Sequence, residues 1–150
     1  MKLNLHPLRK ALGSLQLALE EQVKQQNDFL RDSCIQRFEY TYELSWKMLK
    51  RHLEQTESTT SNIDALTFAD LIRKGNEKNL LLSDWSKWKI YREARNNTSH
   101  GYNEDKANDV FKVIPDFFKE SKSASAQFLT VILRTFLFKY LLSFFLIPSD

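Results

Sequence analysis

Glycine, proline and cysteine are all scarce in this chain of 150 residues. Three glycines and three prolines leave few signals for turns, so the sequence predicts long uninterrupted helices. The single cysteine, Cys34, excludes an internal disulfide and is typical of a protein in a reducing compartment. The N-terminal segment lacks the apolar run of a secretory signal, and we therefore expect a cytoplasmic protein.

A strong excess of one charge is also lacking. The chain carries 22 basic and 19 acidic residues, a net charge of +3. Dedicated nucleic-acid-binding domains usually have a denser basic patch, so charge alone supports nucleic-acid binding only weakly. The apolar content of 42% and the length suit one globular core rather than two domains.

Apolar residues recur at helical spacing through the first half of the chain. Pro7 suits a first helical turn, and the first helix is expected over about 7–26. A second amphipathic helix carries its apolar stripe from Ile35 to Leu53 and is expected to end before a polar loop at 56–62.

The second half continues the same pattern. A short helix is expected to end at Gly75, and Ser83 or Asp84 can cap the next one. Asn103 is expected to cap a last helix, in which Pro115 should introduce a kink. No strand-like alternation is found, so the sequence predicts an all-α, up-and-down bundle of four or five helices.

The C-terminal segment differs in composition from the rest. Fifteen of the twenty residues at 128–147 are apolar, while Arg134 and Lys139 lie near the middle of this run. The free-energy cost of inserting these two charges into a membrane nearly cancels the gain from the apolar side chains, so the total free energy of insertion is close to zero. We therefore divide the chain into a bundle domain, 1–123, and an apolar tail, 124–150. The tail is expected to pack on the bundle or on a second subunit; membrane contact through 128–147 and a tail foreign to the fold are the alternatives.

The densest group of polar residues runs from Tyr91 to Tyr102 and contains Arg95 and His100. An arginine can stabilise charge on phosphate oxygens and a histidine can transfer a proton near neutral pH, which together suit phosphodiester cleavage. An ideal helix would place the two side chains about 140° apart. His100 must therefore lie past a helix end, which Asn96, Asn97, Thr98 and Gly101 favour, or face a second subunit. By spacing alone the signal is weak, because a capping arginine and a surface histidine are the more common explanation of such a pair.

The sequence shows no second group of candidate catalytic or ligand-binding residues. The polar face of the second helix is interpreted as a solvated ion-pair surface, and the two remaining histidines as surface or helix-end residues. These residues are Glu39, Glu43, Lys47, Lys50, His6 and His52. No metal-ligand cluster, phosphate-binding loop or cofactor motif is found, and none of the motifs of a nucleotidyltransferase. We therefore expect no metal and no cofactor.

Two segments carry a family resemblance. The run from Gln36 to Lys50, QRFEYTYELSWKMLK, resembles the second helix of the nucleotidyltransferase substrate-binding protein family. The run from Arg92 to Tyr102, REARNNTSHGY, resembles that family's second signature and matches the HEPN-superfamily pattern Arg-x4-His-x-Tyr of HepT-type toxins. The resemblance extends over about residues 8–118.

The resemblance implies a helical bundle that forms homodimers and acts as a metal-independent ribonuclease toxin on RNA. Arg95 and His100 would be catalytic, with Asn96 as a supporting polar residue. The partner would be a cognate minimal nucleotidyltransferase, MntA-like, that neutralises the toxin by adenylylating (AMPylating) Tyr102. The added phosphate would repel RNA from the neighbouring site.

The family name implies an alternative, a non-catalytic substrate-binding subunit of a two-component nucleotidyltransferase. The tail departs from the family pattern in either case. Members usually end in a charged amphipathic helix, whereas the segment after Ser123 is apolar and almost free of charge.

Overall fold

The computed structural model describes residues 3–57, 61–99 and 103–146, and these ranges contain helices and no strand. The predicted all-α fold is confirmed. Five helices exceed one turn, and a further single turn follows the second of them. In chain order the helices are α1 (His6–Gln25), α2 (Asp28–Thr56), α3 (Ser61–Asp64), α4 (Phe68–Glu77), α5 (Trp85–Asn97) and α6 (Glu104–Phe145).

Polar side chains cap four of the described helices, and the sequence predicts two of these caps, those of α5 and α6. The Asp84 carboxylate accepts a hydrogen bond from the Ser86 amide at 2.9 Å, and Asn103 accepts one from the Lys106 amide at 3.1 Å. Each bond satisfies an amide that has no partner within the helix. The starts of α5 and α6 are therefore confirmed at the predicted caps.

Two boundaries near α4 differ from the prediction. Gly75 lies inside α4 rather than beyond its end, and it is buried against α2. A Cβ atom at this position would lie 2.9 Å from a methyl carbon of Leu49, so glycine here permits close helix packing instead of a turn. The predicted polar loop is also shorter, because α2 continues to Thr56 and α3 begins at Ser61.

The core is centred on aromatic rings from α2, α5 and α6. The Phe117 ring lies 5.0 Å from Phe38, 5.5 Å from Tyr91 and 6.3 Å from Trp88, measured between centroids and mostly edge to face. Such pairs add specific geometry to the burial of large apolar areas. Burial raises the pKa of Tyr91 to about 12, with the nearby Glu120 as a second cause. This cluster fixes α5 against the two longest helices.

A buried glutamate on α6 holds the loop that precedes α5. Glu120 is almost fully buried, and its Oε1 accepts hydrogen bonds from the amides of Leu82 at 2.9 Å and Ser83 at 3.4 Å. Buried polar groups are stable only when they are paired in this way. The contact places Asp84, and hence the start of α5, relative to α6.

The long helix α6 continues without interruption through Pro115 and extends beyond the bundle. Ala124, Ser125 and Phe128 are still buried in the core, whereas every residue from Leu133 to Leu146 is exposed. This last part of the tail therefore does not pack on the bundle, and packing on a second subunit, the other form of the expectation, stays a prediction. By length and composition α6 could cross a membrane.

Candidate functional site

The predicted catalytic arginine lies at the end of α5. The Arg95 Nη1 donates hydrogen bonds to Thr98 Oγ1 at 3.0 Å and to Ser99 Oγ at 3.1 Å. Thr98 Oγ1 in turn donates to the Arg95 carbonyl at 2.7 Å, and the helix ends at Asn97. Asparagine and threonine are poor helix formers, so the chain turns here as the sequence predicts.

Two carboxylates from α2 face the same guanidinium. Glu39 Oε2 lies 3.6 Å from Arg95 Nη1, and Glu43 Oε1 lies 3.7 Å from Arg95 Nε. Both distances exceed those of a charge-assisted hydrogen bond, and Nε has no hydrogen-bond partner among the described residues. The glutamates therefore orient the guanidinium and reduce its local field without closing a tight ion pair.

The predicted ion-pair face on α2 is only partly correct. Glu43 lies 3.6 Å from Lys47, as the spacing predicts, but it also faces Arg95. Lys50 instead contacts Asp64 of α3 at 2.7 Å. The sequence offered one signal that we did not use: both glutamates belong to the first family segment, and the arginine that they face belongs to the second.

A cavity of about 360 Å³ adjoins this group between α2, the end of α5 and the start of α6. Its volume falls in the range of small-ligand sites. Glu39 and Thr98, which both contact Arg95, are part of its wall. The remaining wall mixes apolar and polar side chains: Asp32, Ile35, Gln36, Asn97, Asn103, Lys106, Ala107 and Val110.

A buried arginine that the sequence analysis missed joins the helices around the cavity. Arg31 is 3% exposed, and its Nη1 donates to Glu104 Oε1 at 2.8 Å and to Asn108 Oδ1 at 3.0 Å. Its Nη2 donates to Asp32 Oδ1 at 3.0 Å. These bonds tie the first turn of α2 to the first turns of α6. Arginine in a first helical turn is normally solvated, so the sequence carried no signal for this contact.

The predicted site residues are placed only in part. Arg95 is 24% exposed at its side chain and lies beside the cavity, while Asn96 is exposed on the last turn of α5. The Asn96 carbonyl accepts a hydrogen bond from the Ser99 amide at 3.3 Å. His100 and Tyr102 lie outside the described residues. Thr98 and Asn103, on either side of that gap, both line the cavity.

Comparison with known proteins identifies the family and the fold. Residues 3–130 match the family described as nucleotidyltransferase substrate binding protein like. A Haemophilus influenzae protein named "Probable ribonuclease HepT" is 41% identical over 130 residues, which cover 80% of this chain and 88% of the relative. A solved structure from the same organism, described as revealing the fold of a substrate binding domain of a nucleotidyltransferase, has 37% identity and a TM-score of 0.78. The match covers 83% of this chain and 98% of that one. The chain therefore belongs to the family of nucleotidyltransferase substrate-binding proteins.

Proposed function

We propose that this protein is a ribonuclease that cleaves RNA without a metal ion, using Arg95 and His100. The observation that carries the proposal is the position of Arg95, which presents a guanidinium beside a cavity of about 360 Å³. The guanidinium suits a phosphate group, and the cavity suits the adjoining ribose or base. The name of the Haemophilus influenzae relative, probable ribonuclease HepT, supports the same class of activity.

The chemistry needs only the substrate and these two side chains. The 2′-oxygen of the ribose attacks phosphorus, a 2′,3′-cyclic phosphate forms, and the bond to the 5′-oxygen breaks. His100 accepts the 2′-hydroxyl proton, and the departing 5′-oxygen gains a proton from water or a second acid. Arg95 stabilises the charge that develops on the phosphate oxygens. The Thr98 and Ser99 hydroxyls, which accept from Arg95 in the free chain, hold it ready for this contact.

The decisive experiment is cleavage of a labelled RNA by the purified full chain in excess EDTA. We expect wild-type cleavage, with His100→Ala and Arg95→Ala each reducing the rate by about 100-fold or more. Arg92→Ala is the matched control, because Arg92 lies on the same helix, is exposed, and packs over the Phe68 ring at 4.8 Å. It should change the rate by less than about threefold.

Three results would contradict the proposal. The first is absence of cleavage by wild-type protein that carries no modification by intact mass. The second is activity that EDTA abolishes. The third is equal loss in the Arg92→Ala and Arg95→Ala variants, which would mean that general basic charge, rather than a placed arginine, is responsible.

Regulation by a cognate minimal nucleotidyltransferase is the second part of the proposal. We propose that such an enzyme, MntA-like in the sense of the family, transfers AMP to Tyr102 and thereby blocks RNA binding. Asn103, the neighbour of Tyr102, lines the cavity, so phosphate added at this point of the chain would introduce negative charge beside Arg95. Toxin and antitoxin would then form one regulated pair.

A non-catalytic role is the second candidate function. It is favoured by the description of the solved relative as a substrate binding domain of a nucleotidyltransferase. In this case the cavity would hold a substrate for the separate catalytic chain, and RNA cleavage would not occur.

Intact mass spectrometry after co-expression with a cognate nucleotidyltransferase separates the two candidates. The ribonuclease proposal predicts a mass gain of one AMP that is lost in Tyr102→Phe and retained in Tyr40→Phe, a control at a partly exposed tyrosine on α2. The modified protein should also lose RNA cleavage. An unmodified chain that nevertheless raises the activity of the nucleotidyltransferase, with His100→Ala having no effect, would favour the binding subunit.

A further inference from the structure

The polarity of α6 reverses where the helix leaves the bundle. Within the bundle the inner face of α6 is buried, for example at Phe117, Ala124 and Phe128, whereas Lys119 and Lys122 on the outer face are exposed. Beyond residue 132 the continuation of the inner face is polar and the outer face is apolar. The apolar side of α6 thus moves from the inner face to the outer face, although the helix is continuous.

The inner stripe of the exposed part consists of Thr135, Lys139 and Ser143, which repeat every four residues. Thr135 and Lys139 line a groove together with His52 and Thr56 at the end of α2. Leu133 and Phe136 line the same groove, so the side of the helix that faces the bundle is polar at its centre and apolar along one edge. The rest of the circumference, an arc of about 240° on an ideal helix, is apolar apart from Arg134 in its first turn. We call this the outer arc, with the members Leu133, Phe136, Leu137, Phe138, Tyr140, Leu141, Leu142, Phe144 and Phe145.

The outer arc exposes more apolar surface than an isolated soluble protein usually carries. The large apolar side chains from Leu133 to Leu146 are 43–85% exposed. Together they present on the order of 1,000 Å², whereas the largest patch on a typical monomer is about 300–600 Å². The match to the family ends at residue 130, before this arc begins, so the surface is an addition to the family domain.

The width of the arc decides between possible occupants. A single packed helix covers a stripe of roughly 100° and would leave most of the arc in water. A lipid surface can cover the whole arc, because a helix lying at the interface sinks about 5–10 Å into the boundary of the acyl chains. The apolar run that is free of the bundle begins at Leu133, because Phe128, Val131 and Ile132 pack in the core or against it. From Leu133 to Leu146 it extends about 21 Å, which is shorter than the roughly 30 Å needed to cross the hydrocarbon core. Its length thus suits a helix that lies in the interface.

Charge favours lipid of one kind. No acidic residue lies between Glu120 and Asp150, and Glu120 is buried by its contacts with the loop before α5. From Lys119 to Leu146 the exposed charges of α6 are Lys119, Lys122, Arg134 and Lys139, all basic, and the nearest exposed acid on this helix is Asp116, one turn before Lys119. Each basic residue near an anionic membrane surface contributes about 1 kcal/mol of attraction.

We propose that the segment Leu133–Leu146 is an interfacial membrane anchor that lies in the plane of an anionic bilayer, with its outer arc in the acyl region and its basic residues at the headgroups. The anchor is independent of the proposed ribonuclease activity. It joins the bundle through an unbroken helix, so the whole domain is held at the membrane surface.

Flotation of the full-length protein with vesicles tests the proposal. We expect binding to phosphatidylcholine vesicles containing about 30% phosphatidylglycerol to be at least about tenfold stronger than binding to phosphatidylcholine alone, and to weaken in 0.5 M NaCl. Leu137→Glu with Phe144→Glu, on the outer arc, should reduce binding more than tenfold. Thr135→Glu with Ser143→Glu is the matched control, because it adds the same charge to the inner stripe of the same helix and should reduce binding less than about threefold.

Circular dichroism of both double variants verifies that the bundle is folded. Equal loss of binding in the two double variants would overturn the proposal, because it would assign the effect to charge alone. The proposal would also be overturned if the full chain bound neither kind of vesicle and instead formed a defined oligomer. In that case the outer-arc double variant would be monomeric, while the inner-stripe double variant would still form the oligomer. That result would assign the arc to a second copy of the chain.

Discussion

His52 shows how a single titratable residue can be misjudged from sequence. We expected it at the surface or at a helix end. It lies near the end of α2 but is buried, with its ring centroid 5.2 Å from that of Phe128. The signal was present, because residues 38, 42, 45, 49 and 52 follow one helical stripe. A histidine on an apolar stripe is expected to be buried in the core together with its apolar neighbours.

The burial of His52 predicts a dependence of stability on pH. Burial, and secondarily the charge of Lys78, lower the pKa of His52 below 6.5 in the folded state. The unfolded chain therefore binds a proton first as the pH falls, so this residue's contribution is complete above about pH 6.5 and is lost below it. Between pH 7.5 and 5.5 the loss is at most about 1.4 kcal/mol.

Urea unfolding at the two pH values measures this contribution. His52→Gln should remove up to that amount from the pH-dependent loss of unfolding free energy, whereas His6→Gln, a change at an exposed histidine, should leave the loss as in the wild type. If the His52→Gln variant loses as much free energy as the wild type, the folded-state pKa of His52 is not lowered.

Arg95 illustrates the opposite case, a residue whose importance was predicted but whose partners were not. Its helix end and its position near a candidate site follow from the composition of the segment after it. Its contacts with Glu39 and Glu43 depend on how α5 crosses α2, because these residues are more than fifty positions away in the chain. Spacing along one helix cannot show a contact between two helices.

At the scale of elements, Arg31 is the main link between the starts of α2 and α6. Its guanidinium is buried, while the carboxylates around it, from Asp28, Asp32 and Glu104, are 45–70% exposed. Because water can solvate those carboxylates when the arginine is removed, the variant loses less unfolding free energy than if they were buried. Arg31→Ala should therefore reduce the free energy of unfolding by about 1.5–3 kcal/mol.

The same substitution should loosen the beginning of α6 in particular. Hydrogen exchange by mass spectrometry should show faster exchange at 104–110 in Arg31→Ala. Arg51→Ala, a control at an exposed arginine of α2, should change the unfolding free energy by less than about 0.5 kcal/mol and leave that exchange unaltered. Uniformly faster exchange in all helices of Arg31→Ala would mean that Arg31 supports the bundle as a whole and does not anchor α6.

The limits of helices were predictable where side chains act locally. Asp84 and Asn103 cap their helices through bonds that involve only the next few residues. Gly75 was assigned wrongly because its role depends on Leu49, which belongs to another helix. The turn at 61–64 was missed because a four-residue helix has no periodicity to detect.

For the whole molecule, the fold class follows from periodicity and from the shortage of turn residues. The family follows from two segments, and the match over residues 3–130 confirms it. The homodimer and the placement of His100 and Tyr102 beside Arg95 stay predictions, because both depend on contacts beyond the described residues of one chain. The outer arc required the structure, since composition alone did not show which side of the tail faces the bundle.

Because α6 is unbroken, it fixes the distance between the cavity and the outer arc. Val110 lines the cavity, and the outer arc begins more than twenty residues later on the same helix, which corresponds to about 35–40 Å. At physiological ionic strength the screening length is about 8 Å, so charges at the two ends of this rod do not influence each other directly. Lipid headgroups at the tail itself would therefore not act on Arg95 through their charge, and only headgroups beneath the bundle would be close enough to do so. One continuous helix would thus keep the charges of the proposed anchor from acting along its length on the proposed RNA site.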